Sequence, residues 1–288
     1  MAFALQTPTI DELPAAVCAL RDWQRDDSPM QLHPGDIGWF WRFGAEATAA
    51  AVRTWNRDGR ILAVGLLDGD DLLRMTIAPD ARRDEHLAGQ LADDIGDPAR
   101  GVLPAGPVYV EAPQDALLQD VLAQRGWPTD EPWTPLYRDL RDAVENSGIR
   151  FEVVGPELAE ARADIQRASF AKSIFTGERW KVLAAGFAYA DARCLLGFDD
   201  QGVAVAAITV WSAGEGRPGL IEPMAVHPDH RGHGFGRAIT LAGAATLRQL
   251  GSSSAIVCTT GSNVGAVATY ASAGFEAQAE VHDRMRPS

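Results

Sequence analysis

The chain has 288 residues, 46% of them hydrophobic and 23% charged, enough for one large domain or two modest ones at roughly 100–200 residues each. No apolar run approaches the ~20 residues that span a bilayer, the first residues lack a basic n-region, and Cys18, Cys194 and Cys258 are few and far apart. Membrane insertion, secretion and a disulfide scaffold are therefore not expected, and a cytoplasmic location is. A net charge of −13 argues against nucleic acid as a partner and would draw in a small cationic molecule.

In chain order, the first distinctive segment is Trp39-Phe40-Trp41-Arg42, expected to pack in a core or between domains, as most large aromatics are buried. The string Met75-Thr76-Ile77-Ala78-Pro79-Asp80 returns as Met224-Ala225-Val226-His227-Pro228-Asp229, an offset of 149. Gly126, in Arg125-Gly126-Trp127, returns as Gly274 in Ala273-Gly274-Phe275 at an offset of 148. Two anchors at nearly one spacing predict two copies of one fold. The polar stretch 141–148, ending in Asn-Ser-Gly, marks the join, giving domains 1–143 and 149–288.

The second half reads as a strand at 150–154, helices at 157–170 and 178–190, and strands at 194–198 and 203–211. A strand at 220–226, a helix at 234–250, a strand at 254–259, a helix at 264–273 and a last strand at 275–284 follow. The order β-α-α-β-β-β-α-β-α-β predicts a mixed α/β sheet with crossover helices late in the chain.

Residues 220–236, LIEPMAVHPDHRGHGFG, carry the chemistry. An apolar strand runs into a glycine-rich loop and then a helix, so backbone amides and the positive end of the helix meet at one place, which suits a phosphate. This stretch through residue 250 has one more basic than acidic residue, unlike the chain as a whole. A GxxxxGK[ST] loop is absent, and Gly232-x-Gly234 and Gly234-x-Gly236 are not followed by the third glycine or alanine of a dinucleotide fingerprint. His227, His230, His233 and Asp229 lie on an irregular loop whose spacing defines no metal-binding face, so no metal is expected.

Arg231-x-x-Gly234-x-Gly236 between strand and helix resembles the acyl-CoA loop of the GNAT acetyltransferase superfamily, whose pattern is Gln/Arg-x-x-Gly-x-Gly/Ala. Met224-Ala225-Val226-His227-Pro228 is similar to that family's fourth strand and its exit. Asn263-x-x-Ala266-x-x-x-Tyr270-x-x-x-Gly274-Phe275 is similar to its Asn-Ala-Tyr-Gly-Phe helix. The resemblance covers about residues 220–276 and implies two tandem GNAT-like domains. In the first of them Glu85 and Leu87 stand where the loop glycines should, so that copy is expected not to bind CoA in the usual way.

The resemblance implies acetyl-CoA as co-substrate, its pyrophosphate on the amides of Gly232, His233, Gly234, Phe235, Gly236 and Arg237, with Arg231 opening the loop. Backbone groups of Met224 and Val226 would meet the pantetheine, and the N–H of Ala225 or Val226 the thioester oxygen. Asn263 would touch the pantetheine or cap its helix. Tyr270 would be the acid that hydrogen-bonds the leaving thiolate, and Glu222, sharing strand parity with Leu220 and Met224, would be the base or the anchor of the substrate ammonium. Phe175 and Trp180 would wall the acceptor pocket. The expected reaction is direct acetyl transfer to a primary amine of a small molecule, with a homodimer left open. A protein N-acetyltransferase and a non-catalytic acyl-CoA-binding or regulatory module remain as alternatives.

Overall fold

A computed structural model describes residues 3–287. In chain order the elements are β1 (Ala4–Gln6), α1 (Leu13–Trp23), α2 (Pro34–Phe40), α3 (Ala45–Ala51), β2 (Val52–Arg57), β3 (Arg60–Leu67), β4 (Leu72–Ile77), α4 (Glu85–Gly96), β5 (Val108–Glu111), α5 (Leu117–Gln124) and β6 (Thr129–Asp139). There follow β7 (Arg150–Val153), α6 (Ala159–Ser169), α7 (Gly177–Ala184), β8 (Ala192–Phe198), β9 (Ala204–Ser212), β10 (Gly219–Val226), α8 (Phe235–Gln249), β11 (Ser254–Thr260), α9 (Val264–Ser272), β12 (Glu276–Ala277) and β13 (Val281–Arg286). They form two compact units. The first holds the residues up to His33, Ala45–Trp133 and the residues from Glu280; the second holds Pro34–Gly44 and Thr134–Ala279.

In the first unit β1 to β4 form an antiparallel meander, β4 pairs parallel with β5, and β5 pairs antiparallel with β13. In the second, β7 to β10 form the meander and β10 pairs parallel with β11 across α8. Each unit thus ends its meander in a Pro-Asp turn, Pro79–Ala81 or Pro228–His230, before a crossover helix. The repeat read from Met75 and Met224 is a repeat of fold.

The expected last strand at 275–284 is divided. Glu276 and Ala277 pair with Tyr137 and Leu136 inside the second unit, whereas β13 belongs to the first, where Arg284, Met285 and Arg286 lie opposite Val110, Tyr109 and Val108 of β5. A strand needs a partner for its row of N–H and C=O groups. Local sequence does not say which sheet edge supplies it. For the same reason the second unit begins within β6, at Thr134, upstream of the join expected at 141–148, and it also takes residues 34–44.

The core of the second unit lies between α8 and the sheet. Leu195, Ala206, Ile208, Val210 and Ile221 face Ile239, Leu241, Ala242 and Leu247 of the helix. Thr209 and Trp211, on the opposite parity of β9, face away from α8. The register of β10 against β9 slips between Ile221, opposite Val210, and Met224, opposite Ile208. This extra residue is a bulge at Pro223, which has no N–H for the ladder. It corrects the parity expected for Glu222: Leu220 lies opposite Trp211 and Met224 opposite Ile208, so Leu220 and Met224 point to opposite faces.

Candidate active site

Pairing between β10 and β11 is confined to Gly219–Ala255 and Leu220–Ile256, after which the two parallel strands separate. His227 N–H donates to Val205 O at 2.9 Å, which fixes the alternation along β10. Ala225 and His227 direct their backbone groups to β9, and Met224 and Val226 direct theirs to the gap left by β11. Of the two amides expected to meet a thioester oxygen, that of Val226 therefore faces the gap and that of Ala225 belongs to the ladder. The Val226 carbonyl accepts from Ser169 Oγ at 2.9 Å and from Arg231 Nε at 3.4 Å, so α6 and the loop both fasten the strand exit.

The loop beyond β10 turns on Gly232 and Gly234, whose φ angles of 79° and 83° lie in the left-handed region that glycine adopts without strain. Gly234 is the N-cap of α8, and the first helical bond runs from Ala238 N–H to Gly234 O at 3.0 Å. The amides of Phe235, Gly236 and Arg237 thus precede the ladder at the positive end of the helix. Around Gly234 the space is open, while a Cβ on Gly236 would come 2.9 Å from Thr269 Cγ2 on α9. Glycine at 236 is what lets α8 approach α9.

The Arg237 side chain turns to α9 and the segment between β6 and β7, donating to Ser272 O at 2.8 Å and pairing with Glu145 at 3.4 Å, so it is the backbone of Arg237 that belongs to the loop. His233 Nδ1 lies 2.9 Å from Arg231 O, and His227 Nδ1 accepts from Asp229 N–H at 3.3 Å. Both imidazoles brace the turn.

Asn263 caps α9, its Oδ1 accepting from Ala266 N–H at 3.2 Å. One face of α9 places Tyr270 in the core against Phe275, with ring centroids 5.8 Å apart, and the tyrosine is only 6% exposed. Burial, and secondarily the negative charge of Glu222, raise the Tyr270 phenol well above its ordinary range. The phenol remains a proton donor at any working pH. Glu222 is half-buried at the bulge, and its carbonyl accepts from Trp211 Nε1 at 2.8 Å.

Phe175 and Trp180 are both buried. Phe175 packs on Trp39 with centroids 5.1 Å apart, and the Arg162 guanidinium lies 4.7 Å from its ring. Trp180 meets Tyr189 edge-on at 6.1 Å, and Tyr189 meets Trp211 at 6.0 Å, linking this cluster to the residue that binds Glu222. Buried Arg162 donates to Gln166, Cys194 and Thr209. Trp39 and Trp41, the latter edge-on to Phe187 at 5.1 Å, bring the segment 34–44 into this wall. The sequence marked that segment as aromatic without indicating its destination, and nothing in it singled out Ser169.

The corresponding place in the first unit is filled by protein. Asp84 caps α4 by accepting Leu87 N–H at 3.0 Å and pairs with Arg57 at 3.3 Å, and these two contacts, the amide first, lower its carboxyl below the usual range. Arg82, which aligns with Arg231, is buried and donates to Asp115 at 2.8 Å and Gln31 at 2.6 Å. A carboxylate stands at the helix terminus where the second unit presents open amides.

Residues 159–275 match the model of the acetyltransferase (GNAT) family. Over 62 residues the chain is 45% identical to mycothiol acetyltransferase of Saccharomonospora viridis, a match covering 21% of this chain and about a fifth (20%) of that protein. A tandem GNAT protein from the clavulanic acid biosynthesis pathway superposes with a TM-score of 0.63 at 17% identity, covering 100% of both chains. A GCN5-related N-acetyltransferase from Sphaerobacter thermophilus gives a TM-score of 0.60 at 18% identity, over 99% of this chain and 95% of that one. The chain has the mixed α/β fold of the tandem GNAT proteins, and its residues 159–275 carry the pattern of the GNAT acetyltransferase family.

Proposed function

We propose that the chain is an N-acetyltransferase that moves an acetyl group from acetyl-CoA directly to a primary amine, with its catalytic site in the second unit. The observation that carries this reading is the conjunction at one strand end of a parting pair of strands, an uncapped helix N-terminus and a buried, protonated tyrosine. The thioester supplies an activated acyl carbon and a thiolate leaving group.

The amides of residues 232–237 bind the pyrophosphate. The backbone of Met224 and Val226 pairs with the pantetheine, and Val226 N–H donates to the oxygen that gains charge. Tyr270 hands its proton to the departing sulfur. Glu222 receives the proton that the ammonium must lose, because an alkyl amine of pKa ~10.4 is almost wholly protonated at neutral pH. Phe175 and Trp180, being buried, shape the acceptor site from behind with Trp39.

The acceptor is a small cationic molecule, a reading supported by the chain's net charge of −13. The first unit is a degenerate copy that does not take CoA, a reading supported by Asp84 at the α4 terminus and by the buried Arg82–Asp115 pair. A cytoplasmic location fits the three scattered thiols.

The test is transfer of labelled acetyl from acetyl-CoA to a panel of polyamines, amino sugars, amino acids and peptides. Transfer to a cationic small molecule is the expected result. Binding of acetyl-CoA with no transfer to any acceptor would overturn the enzyme in favour of a non-catalytic acyl-CoA module, and preference for a peptide would overturn the acceptor class.

A further inference from the structure

Strand β7 is the outer strand of its meander, and all four of its residues are exposed. Phe151 is 39% and Val153 56% exposed, a pair of apolar side chains on one face of an uncovered edge. Natural sheets blunt such edges, because unpaired N–H and C=O groups recruit another strand.

The order of residues along this edge is self-complementary. Ile149-Arg150-Phe151-Glu152-Val153 reads apolar, positive, aromatic, negative, apolar. Set antiparallel to itself about Phe151, it places Arg150 opposite Glu152 twice, Phe151 opposite Phe151, and Ile149 opposite Val153.

The backbone agrees with that register. Val154 N–H donates to Cys194 O at 2.8 Å, so Glu152 and Arg150 direct their backbone groups inward to β8, where they lie opposite Leu196 and Phe198. Phe151 and Val153 direct theirs outward. A second β7 centred on Phe151 would therefore exchange hydrogen bonds at 149, 151 and 153. It would leave 150 opposite 152 in the non-hydrogen-bonded pairs, where side chains approach most closely. Arg150 and Glu152 already pair within one strand, and the same two charges can form an alternating square across two.

We infer that β7 is a self-pairing edge through which two copies of this chain associate about a two-fold axis, continuing the sheet of one second unit into that of the other. The paired segment is short beside a standard interface of about 1,600 Å², so the dimer dissociates on dilution.

Sedimentation velocity over roughly 1–200 µM tests it, a range that brackets micromolar dissociation constants. Wild type is expected to shift from monomer to dimer across this range. Glu152→Arg, which sets arginine against Arg150, should remain monomeric, and the double variant Arg150→Glu/Glu152→Arg should dimerise again because the complementarity returns with its signs reversed. Both substituted positions are exposed, and circular dichroism confirms that each variant is folded. Hydrogen exchange at Phe151 and Val153 amides should slow at the high concentration in wild type and in the double variant only. A wild-type monomer throughout, or a dimer indifferent to Glu152→Arg, overturns the inference. The readout does not depend on acetyl transfer.

Discussion

In the proposed reaction Tyr270 and Glu222 divide the proton traffic between a group that holds its proton until the thiolate departs and one that can accept it. Burial and the neighbouring carboxylate keep the phenol neutral, so its value to the reaction is as a donor. Tyr270→Phe should lower kcat by about 10²-fold while acetyl-CoA still binds, since a positioned acid contributes about 10²–10⁴-fold; single-turnover rates set beside a binding titration check this. Glu222→Gln should lower kcat by a similar factor and recover as the pH nears ~10.4, where the amine loses its proton unaided; a pH–rate profile reads the difference. At the same scale, but in the first unit, burial raises the Asp283 carboxyl to about 7, reinforced by Glu111 and opposed by Arg74. The folded state then holds a proton that the unfolded chain releases above about pH 4. Stability from this group is complete below that pH and is lost as pH rises through about 7, each unit of elevation being worth about 1.4 kcal/mol. Asp283→Asn should raise the Tm at pH 8 and flatten its dependence between pH 5 and 8, as thermal unfolding at several pH values will show.

Among the elements, α8 and α4 show how the same helix start can be open or closed. Asp84 closes the α4 terminus with a carboxylate of the chain, whereas Gly234 leaves that of α8 bare. Gly234→Glu should import the first unit's solution into the second. Acetyl-CoA binding, measured by calorimetry, should be abolished while far-ultraviolet circular dichroism is preserved, because the left-handed backbone at 234 costs a glutamate only about 1–2 kcal/mol, partly offset by a carboxylate at a helix N-terminus. The candidate residues were legible in the sequence because their signals are local: the glycines of 232–236 fall within about one turn at the start of α8, and the cap Asn263 and Tyr270 within about two turns of α9. The facing of Glu222 was not legible, since a single bulged residue at Pro223 reverses the alternation beyond it. Nor was the destination of Trp39, whose partner Phe175 is remote in sequence and is chosen by packing. For the same reason the burial of Phe175 and Trp180, expected to wall the acceptor pocket, was not legible.

For the molecule as a whole, the duplication has one open terminus and one filled one. Titration with acetyl-CoA should therefore give one site per chain; two sites would mean that Asp84 and Arg82 yield to the ligand. The units are also interleaved in sequence, the second taking residues 34–44 and the first taking the residues from Glu280. This has a consequence for synthesis. As the chain leaves the ribosome, β5 must wait for β13, made about 170 residues later, before its edge is closed. The second unit can complete its strands while the older unit is still missing one. A stop codon near position 279 would therefore injure the part of the protein that was translated first.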